Sequence, residues 1–193
     1  MDDRFAPLVL NADQGMPVNQ LAADIITAGF NIGGTFHVEC YGPDGELRWA
    51  DDAKNSIPYL TLNNILDVYY GGGGQSTSWY MGIIDNASFA ALAATDTMAS
   101  HTGWVENVNY SGGTRPAWTP GATASQVIQN PSYTSFSMTP TSQLTLKGFF
   151  LCSSSTLSGT TGYLGATAAL GTLQLANNGD TLKVTYAVSA TPN

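Results

Sequence analysis

From Thr35 onward apolar residues recur at every second position. Phe36, Val38 and Cys40 alternate with His37, Glu39 and Tyr41, and near the far end Leu182, Val184, Tyr186 and Val188 alternate with Thr181, Lys183, Thr185 and Ala187. A period of two sends one set of side chains to each face of an extended chain, so such a chain folds by burying one face of a sheet. Pro43-Asp-Gly45 supplies a turn after the first run, and residues 46–50 return beside it as a hairpin. Further strands are expected at 79–84, 126–130, 135–138, 143–152 and 180–188, with 153–172 read as a Gly/Thr-rich crossover. Many short strands joined by turn-rich loops predict a mainly β protein, a β-sandwich of jelly-roll or immunoglobulin-like type with one or two short helices and an N-terminal arm.

Two segments break the alternation. Residues 1–32 open irregularly around Pro7 and Pro17, then place Val18, Leu21, Ile25, Ile26 and Phe30 at helical spacing, with Gly29 and Gly33-Gly34 read as the stop. A lone helix of about a dozen residues is marginal, so this arm is expected to dock on its own domain or on a neighbouring subunit. The expected division is therefore an arm with a short helix at 1–32 and a sandwich domain at 33–193. The second exception is 60–70, where Leu62, Ile65, Leu66 and Tyr69 fall on one side of a helix that Gly71–Gly74 would end. That glycine run lacks the Lys and Ser/Thr of a phosphate-binding loop and reads as a flexible break.

Charged residues make up 10% of the chain and the net charge is −8. The basic residues, Arg4, Arg48, Lys54, Arg115, Lys147 and Lys183, are scattered, so no phosphate-tracking stripe forms and a nucleic-acid partner is not expected. A weakly charged surface of short polar side chains suits packing in an assembly. The acidic start and the lack of any long apolar run point to a protein made in the cytoplasm, with neither signal peptide nor membrane span. Cys40 and Cys152 both sit in apolar, strand-like contexts and read as buried thiols rather than as a disulfide.

Chemistry, if present, would concentrate in Asp96-Thr-Met-Ala-Ser-His-Thr-Gly-Trp-Val-Glu106 and the following stretch through Arg115 to Trp118, which hold two of the four Trp and one of the two His. Ser100 and His101 are adjacent, and neighbouring side chains on an extended segment diverge, so a Ser–His dyad is poorly placed. Asp85, Asp96, His101, Glu106 and Asp180 show neither zinc spacing nor a calcium-loop signature. Asp51-Asp52 reads as a solvated turn rather than as a glycosidase pair. No catalytic residue, metal or cofactor is expected. Trp79, Tyr80, Trp104, Tyr110 and Trp118 leave one alternative, a stacking platform for sugar rings.

Most of the chain from about residue 35 resembles structural proteins of tailed bacteriophages. The likeness lies in His37-Val-Glu-Cys-Tyr-Gly-Pro-Asp-Gly-Glu-Leu-Arg-Trp49, Asn55, Leu62-Asn-Asn-Ile-Leu-Asp-Val-Tyr-Tyr70, Trp79-Tyr-Met-Gly-Ile-Ile84, Asp96-Thr-Met-Ala-Ser-His-Thr-Gly-Trp104 and Thr114-Arg-Pro-Ala-Trp118. It continues in 145–151, Thr160-Thr-Gly162 and Gly179-Asp-Thr-Leu-Lys-Val-Thr-Tyr186. The resemblance implies a virion component. With the low charge and the arm, it leads to the expectation of a capsid decoration (cement) protein. Such a protein would sit on the outer surface of the head, bound to the major capsid protein, as a homo-dimer or homo-trimer. The expected contacts are Phe5, Leu8, Val9 and Leu10 in the arm, with Trp104, Arg115 and Trp118 as a second choice. A tail, neck or head-fibre component is the alternative within the virion, and a glycan-binding adhesin the alternative outside it.

Overall fold

The computed structural model describes residues 30–192, and these form a mainly β domain built on one curled antiparallel sheet, a half-barrel. The strands are β1 (Phe30–Tyr41), β2 (Leu47–Ser56), β3 (Trp79–Asp85), β4 (Glu106–Asn107), β5 (Ala117–Trp118), β6 (Val127–Gln129), β7 (Thr134–Ser137), β8 (Leu144–Cys152), β9 (Leu164–Ala176) and β10 (Thr181–Pro192). Their hydrogen-bonded order is β4-β3-β8-β9-β2-β1-β10-β6, with β5 also on β3 and β7 also on β10. Helix α1 (Tyr59–Leu66) runs on into a wider π-helical turn, Asp67–Gly71.

The expected hairpin is β1 and β2, in register from Thr35↔Lys54 to Cys40↔Trp49. Its inward set, Phe36, Val38 and Cys40, is fully buried, while His37 on the alternate face is exposed. Strand β2 then changes partner: its last residues, Asn55 and Ser56, pair with Ala168 and Thr167 of β9. This short junction joins the two halves of the sheet. Away from it, side chains link β2 to β9. Trp49 Nε1 donates to the Leu175 carbonyl at 2.8 Å, and Asp51 accepts from Gln174 at 3.0 Å and Thr172 at 3.3 Å.

Bending brings the two halves of the concave face together around one core. Phe36 stacks on Tyr186 with ring centroids 4.0 Å apart, and Phe149 lies 6.2 Å from Phe36 and 6.4 Å from Phe136. Offset aromatic pairs of this kind add about 0.5–1.5 kcal/mol each beyond the area they bury. Strand β8 is buried on both faces. Phe149 enters the concave core, while Phe150 and Cys152 join Ile84, Met98, Trp104 and Leu164 in a second cluster.

The strands follow a single hydrogen-bonded path, because β2 belongs to both halves of the curl. Two expectations are corrected here. Gly33-Gly34 does not stop a helix but lies inside β1. The supposed crossover at 153–172 contains most of β9, a 13-residue strand. Its Gly and Ala residues carry little strand propensity, yet small side chains are what the space allows. The Ala168 carbonyl passes so near Gly148 that a Cβ there would lie 2.0 Å from the oxygen, and Gly165 similarly admits the Trp79 ring. The glycine run after α1 is also more than a flexible break, since the Asp67 carboxylate folds back onto Gly71 and Gly73 and leaves no room for a Cβ at either. The helix read over 18–30 falls outside the described residues except at Phe30, which begins β1.

Gly148→Ala is expected to lower unfolding free energy by about 2–3 kcal/mol, the cost of overpacking against backbone. Gly171→Ala, with open space at its Cβ, should change it by less than about 0.5 kcal/mol. Chemical denaturation of both variants measures the difference.

Candidate functional site

The loop from 86 to 105 lies over the outer face of β3, β8 and β9, and Trp104 anchors it. Its ring is 1% exposed and packs 5.1 Å from Phe150. A buried indole N–H needs an acceptor, and Asp96 provides it: Oδ2 accepts from Trp104 Nε1 at 2.9 Å and from the Ala93 amide at 2.9 Å. His101 stacks on Trp104 at 3.9 Å, and its Nδ1–H donates to the Trp104 carbonyl at 3.1 Å. Ser100 takes part through its backbone, which bonds to Thr97. The imidazole is thus held by the loop it belongs to.

Below the loop lies the most polar contact of the interior. Arg115 grips Glu106 with two parallel bonds, Nε to Oε1 and Nη2 to Oε2, each 2.8 Å, and both side chains are at most 5% exposed. Its remaining donors go to the Ser154 carbonyl at 2.8 Å, the Gly159 carbonyl at 3.4 Å and Cys152 Sγ at 3.4 Å. Arg115 also donates its amide to the Ser155 carbonyl, and Glu106 Oε2 accepts the Ser158 amide at 2.7 Å. The guanidinium, 5.2 Å above the Phe150 ring, therefore spends all five N–H groups inside the protein. It has none left for an anionic ligand.

Beside this pair opens a cavity of about 250 Å3, walled by Met98, His101, Trp104 and Phe150 and rimmed by Ser158 and Thr160. Its charged members neutralise each other. Among the described residues no group of three or more His, Cys, Asp or Glu side chains could hold a metal ion. The acidic residues weighed as ligands are engaged elsewhere: Asp85 with Asn107 and the Ala87 amide, Asp180 with the Asn177 amide.

Trp104, Arg115 and Trp118, expected as second-choice contact residues, are interior at 1%, 1% and 7% exposure. Their aromatic and donor groups are consumed by folding, so they form no docking surface. Trp118 lies on β5 opposite Trp79 of β3 and belongs to the main core. Its Nε1 donates to Asn130 Oδ1 at 3.1 Å and to the Tyr186 carbonyl at 3.2 Å. Asn130 in turn accepts the Tyr186 amide and donates to the carbonyls of Ser132 and Val184. Sequence reading passed over Asn130, since a lone Asn beside Pro131 looks like any turn residue. Trp79 and Tyr80 are partly buried and Tyr110 is buried, so these rings do not form one exposed platform. Phe5, Leu8, Val9 and Leu10 lie outside the described residues.

Cys40 and Cys152 are free, buried and in different clusters. Burial, with Asp180 adding to it, pushes the Cys40 thiol up to about 12, and burial likewise raises Cys152, Tyr110 and Tyr186. No protein-family model matches this chain, and a search of curated protein sequences finds no match.

Replacing either Arg115 with Met or Glu106 with Leu strands a buried charge and should cost about 3–5 kcal/mol, with the double variant costing less than the sum; a double-mutant cycle by chemical denaturation measures this. A raised thiol favours the protonated folded state. Its contribution is complete below the ordinary value of 9.0 and is lost as pH climbs through about 12. Stability should therefore hold on the alkaline side up to about pH 9 and fall above it. A thiol reagent at neutral pH should label both cysteines only after denaturation.

Proposed function

We propose that this chain is a virion structural protein of a tailed bacteriophage, a capsid decoration (cement) protein that binds the outside of the icosahedral head and bridges neighbouring capsomers. The observation that carries the reading is the closed state of the Arg115–Glu106 centre. The one region where the sequence concentrates chemistry-bearing residues has its donors, rings and carboxylates committed to holding loops together. What remains for function is the outside of a weakly charged sheet domain, together with the amino-terminal arm. The resemblance of residues from about 35 onward to phage structural proteins points the same way.

Bridging needs little from each copy. Many modest contacts, repeated by the symmetry of a shell, add up to strong attachment, and binding only the assembled lattice shifts the equilibrium toward it. The partner in this reading is the major capsid protein, and the site of action is the outer face of the virion head. The arm supplies the contact through Phe5, Leu8, Val9 and Leu10. The finer classification of the fold, a sandwich of jelly-roll or immunoglobulin-like type, belongs to the same proposal. Its support is the face-to-face packing of the two halves of the sheet through Phe36, Phe136 and Phe149.

A cryo-electron microscopy map of intact particles tests the reading. Copies of this domain should repeat over the shell at an abundance near that of the major capsid protein, and protein lacking residues 1–29 should fold but leave stripped heads bare. Density confined to the neck, tail or a fibre would overturn the cement role in favour of those parts. Full occupancy by the shortened protein would overturn the arm as the contact.

A further inference from the structure

Helix α1 carries two apolar faces where its packing uses one. The inward side is set by Thr61, which is buried and whose hydroxyl donates to the Leu164 carbonyl at 2.5 Å, with Ile65 and Val68 partly buried. Tyr59, Leu66 and Tyr70, spaced by seven and four residues, share the opposite side, with Leu60 and Tyr69 flanking them. These five residues are 60% (Tyr59), 49% (Leu66), 76% (Tyr70), 45% (Leu60) and 80% (Tyr69) exposed. Tyr69 and Tyr70 stand edge to face with centroids 4.8 Å apart. The helix here opens into the π turn, which Gly72 closes at φ 75° and Asp67 braces from behind.

We infer that this stripe is a two-fold interface with a second copy of the same chain. Three observations select that occupant. The first is area: the five side chains expose on the order of 600 Å2 between them, close to the ~800 Å2 that each partner of a stable interface buries and at the upper end of what a monomer leaves uncovered. The second is charge. Copies of a chain at −8 repel one another, yet between Tyr59 and Gly74 the sole charged residue is Asp67, whose carboxylate is turned back onto Gly71 and Gly73. The approach of like to like is cheapest there. The third is composition, since tyrosine gives a large, stiff contact with a polar tip and is enriched at interface centres. A helix-and-turn of 13 residues, about 20 Å long, laid antiparallel on its twin about a two-fold axis makes a self-complementary, closed contact. The inference does not depend on the virion reading, because it concerns the isolated protein.

Sedimentation equilibrium of the full chain over a wide concentration range tests it. The native protein should form dimers, and Y69S/Y70S should weaken association at least tenfold while far-UV circular dichroism and tryptophan fluorescence stay unchanged. Both tyrosines are more than three-quarters exposed, so the fold does not rest on them; Leu66→Asn provides an independent second disruption. A native chain that is monomeric throughout, one that forms trimers or larger rings, or a Y69S/Y70S variant that dimerises as tightly as the native chain would overturn the proposal.

Discussion

One guanidinium organises this protein's irregular half. Arg115 draws together the β4 edge through Glu106, the loop after β8 through Ser154 and Gly159, and its own loop through the Ser155 carbonyl. Without it, the two loops, rich in Gly, Ser and Thr, would have few apolar side chains with which to pack. A buried ion pair is rarely a net source of stability compared with a hydrophobic isostere, because desolvating both charges cancels most of their attraction. Its value lies in geometry. A planar fork with five donors accepts only one arrangement of surrounding acceptors, and that arrangement fixes where the long loop and Trp104 must lie.

The regular half depends on a different constraint, the allocation of volume across the curl. Large rings enter from β1, β7, β8 and β10, while β9 contributes Ala166 and Ala168 to the same core. Close packing requires such pairing of large with small. It lets β9 pass within backbone contact of Gly148, where even a methyl group would collide. The two halves of the sheet are joined at Asn55 and Ser56, where β2 leaves β1 for β9, and Trp49 and Asp51 tie the two strands together away from that junction.

These two constraints explain what could be seen in the sequence. Strands with one buried face announce themselves by alternation, so the inward residues of β1 and the series Leu182, Val184, Tyr186 in β10 were legible. Strand β9 was not, because a central strand chosen for smallness looks like a loop by composition. The sequence also located the cluster around His101, Trp104, Glu106 and Arg115 correctly as the place where unusual side chains gather. It could not tell inward from outward there, since an irregular loop has no period to read. In the fold Trp104 and Trp118 point in, with Asp96 and Asn130 as acceptors. For α1 the helix was evident, but the pattern of Leu62, Ile65, Leu66 and Tyr69 implied one apolar face, whereas Leu66 and Tyr69 stand in solvent.

The central claim is that the aromatic, charged region is a clamp built around Arg115. Native-state hydrogen exchange of the intact chain reads it directly through two amides, Arg115 to the Ser155 carbonyl and Ser158 to Glu106 Oε2. The clamp predicts that both exchange as slowly as the amides of β8, opening only with the whole domain. If they exchange at the rates of exposed loop tips while β8 stays protected, the loops open independently of the core and the clamp is contradicted.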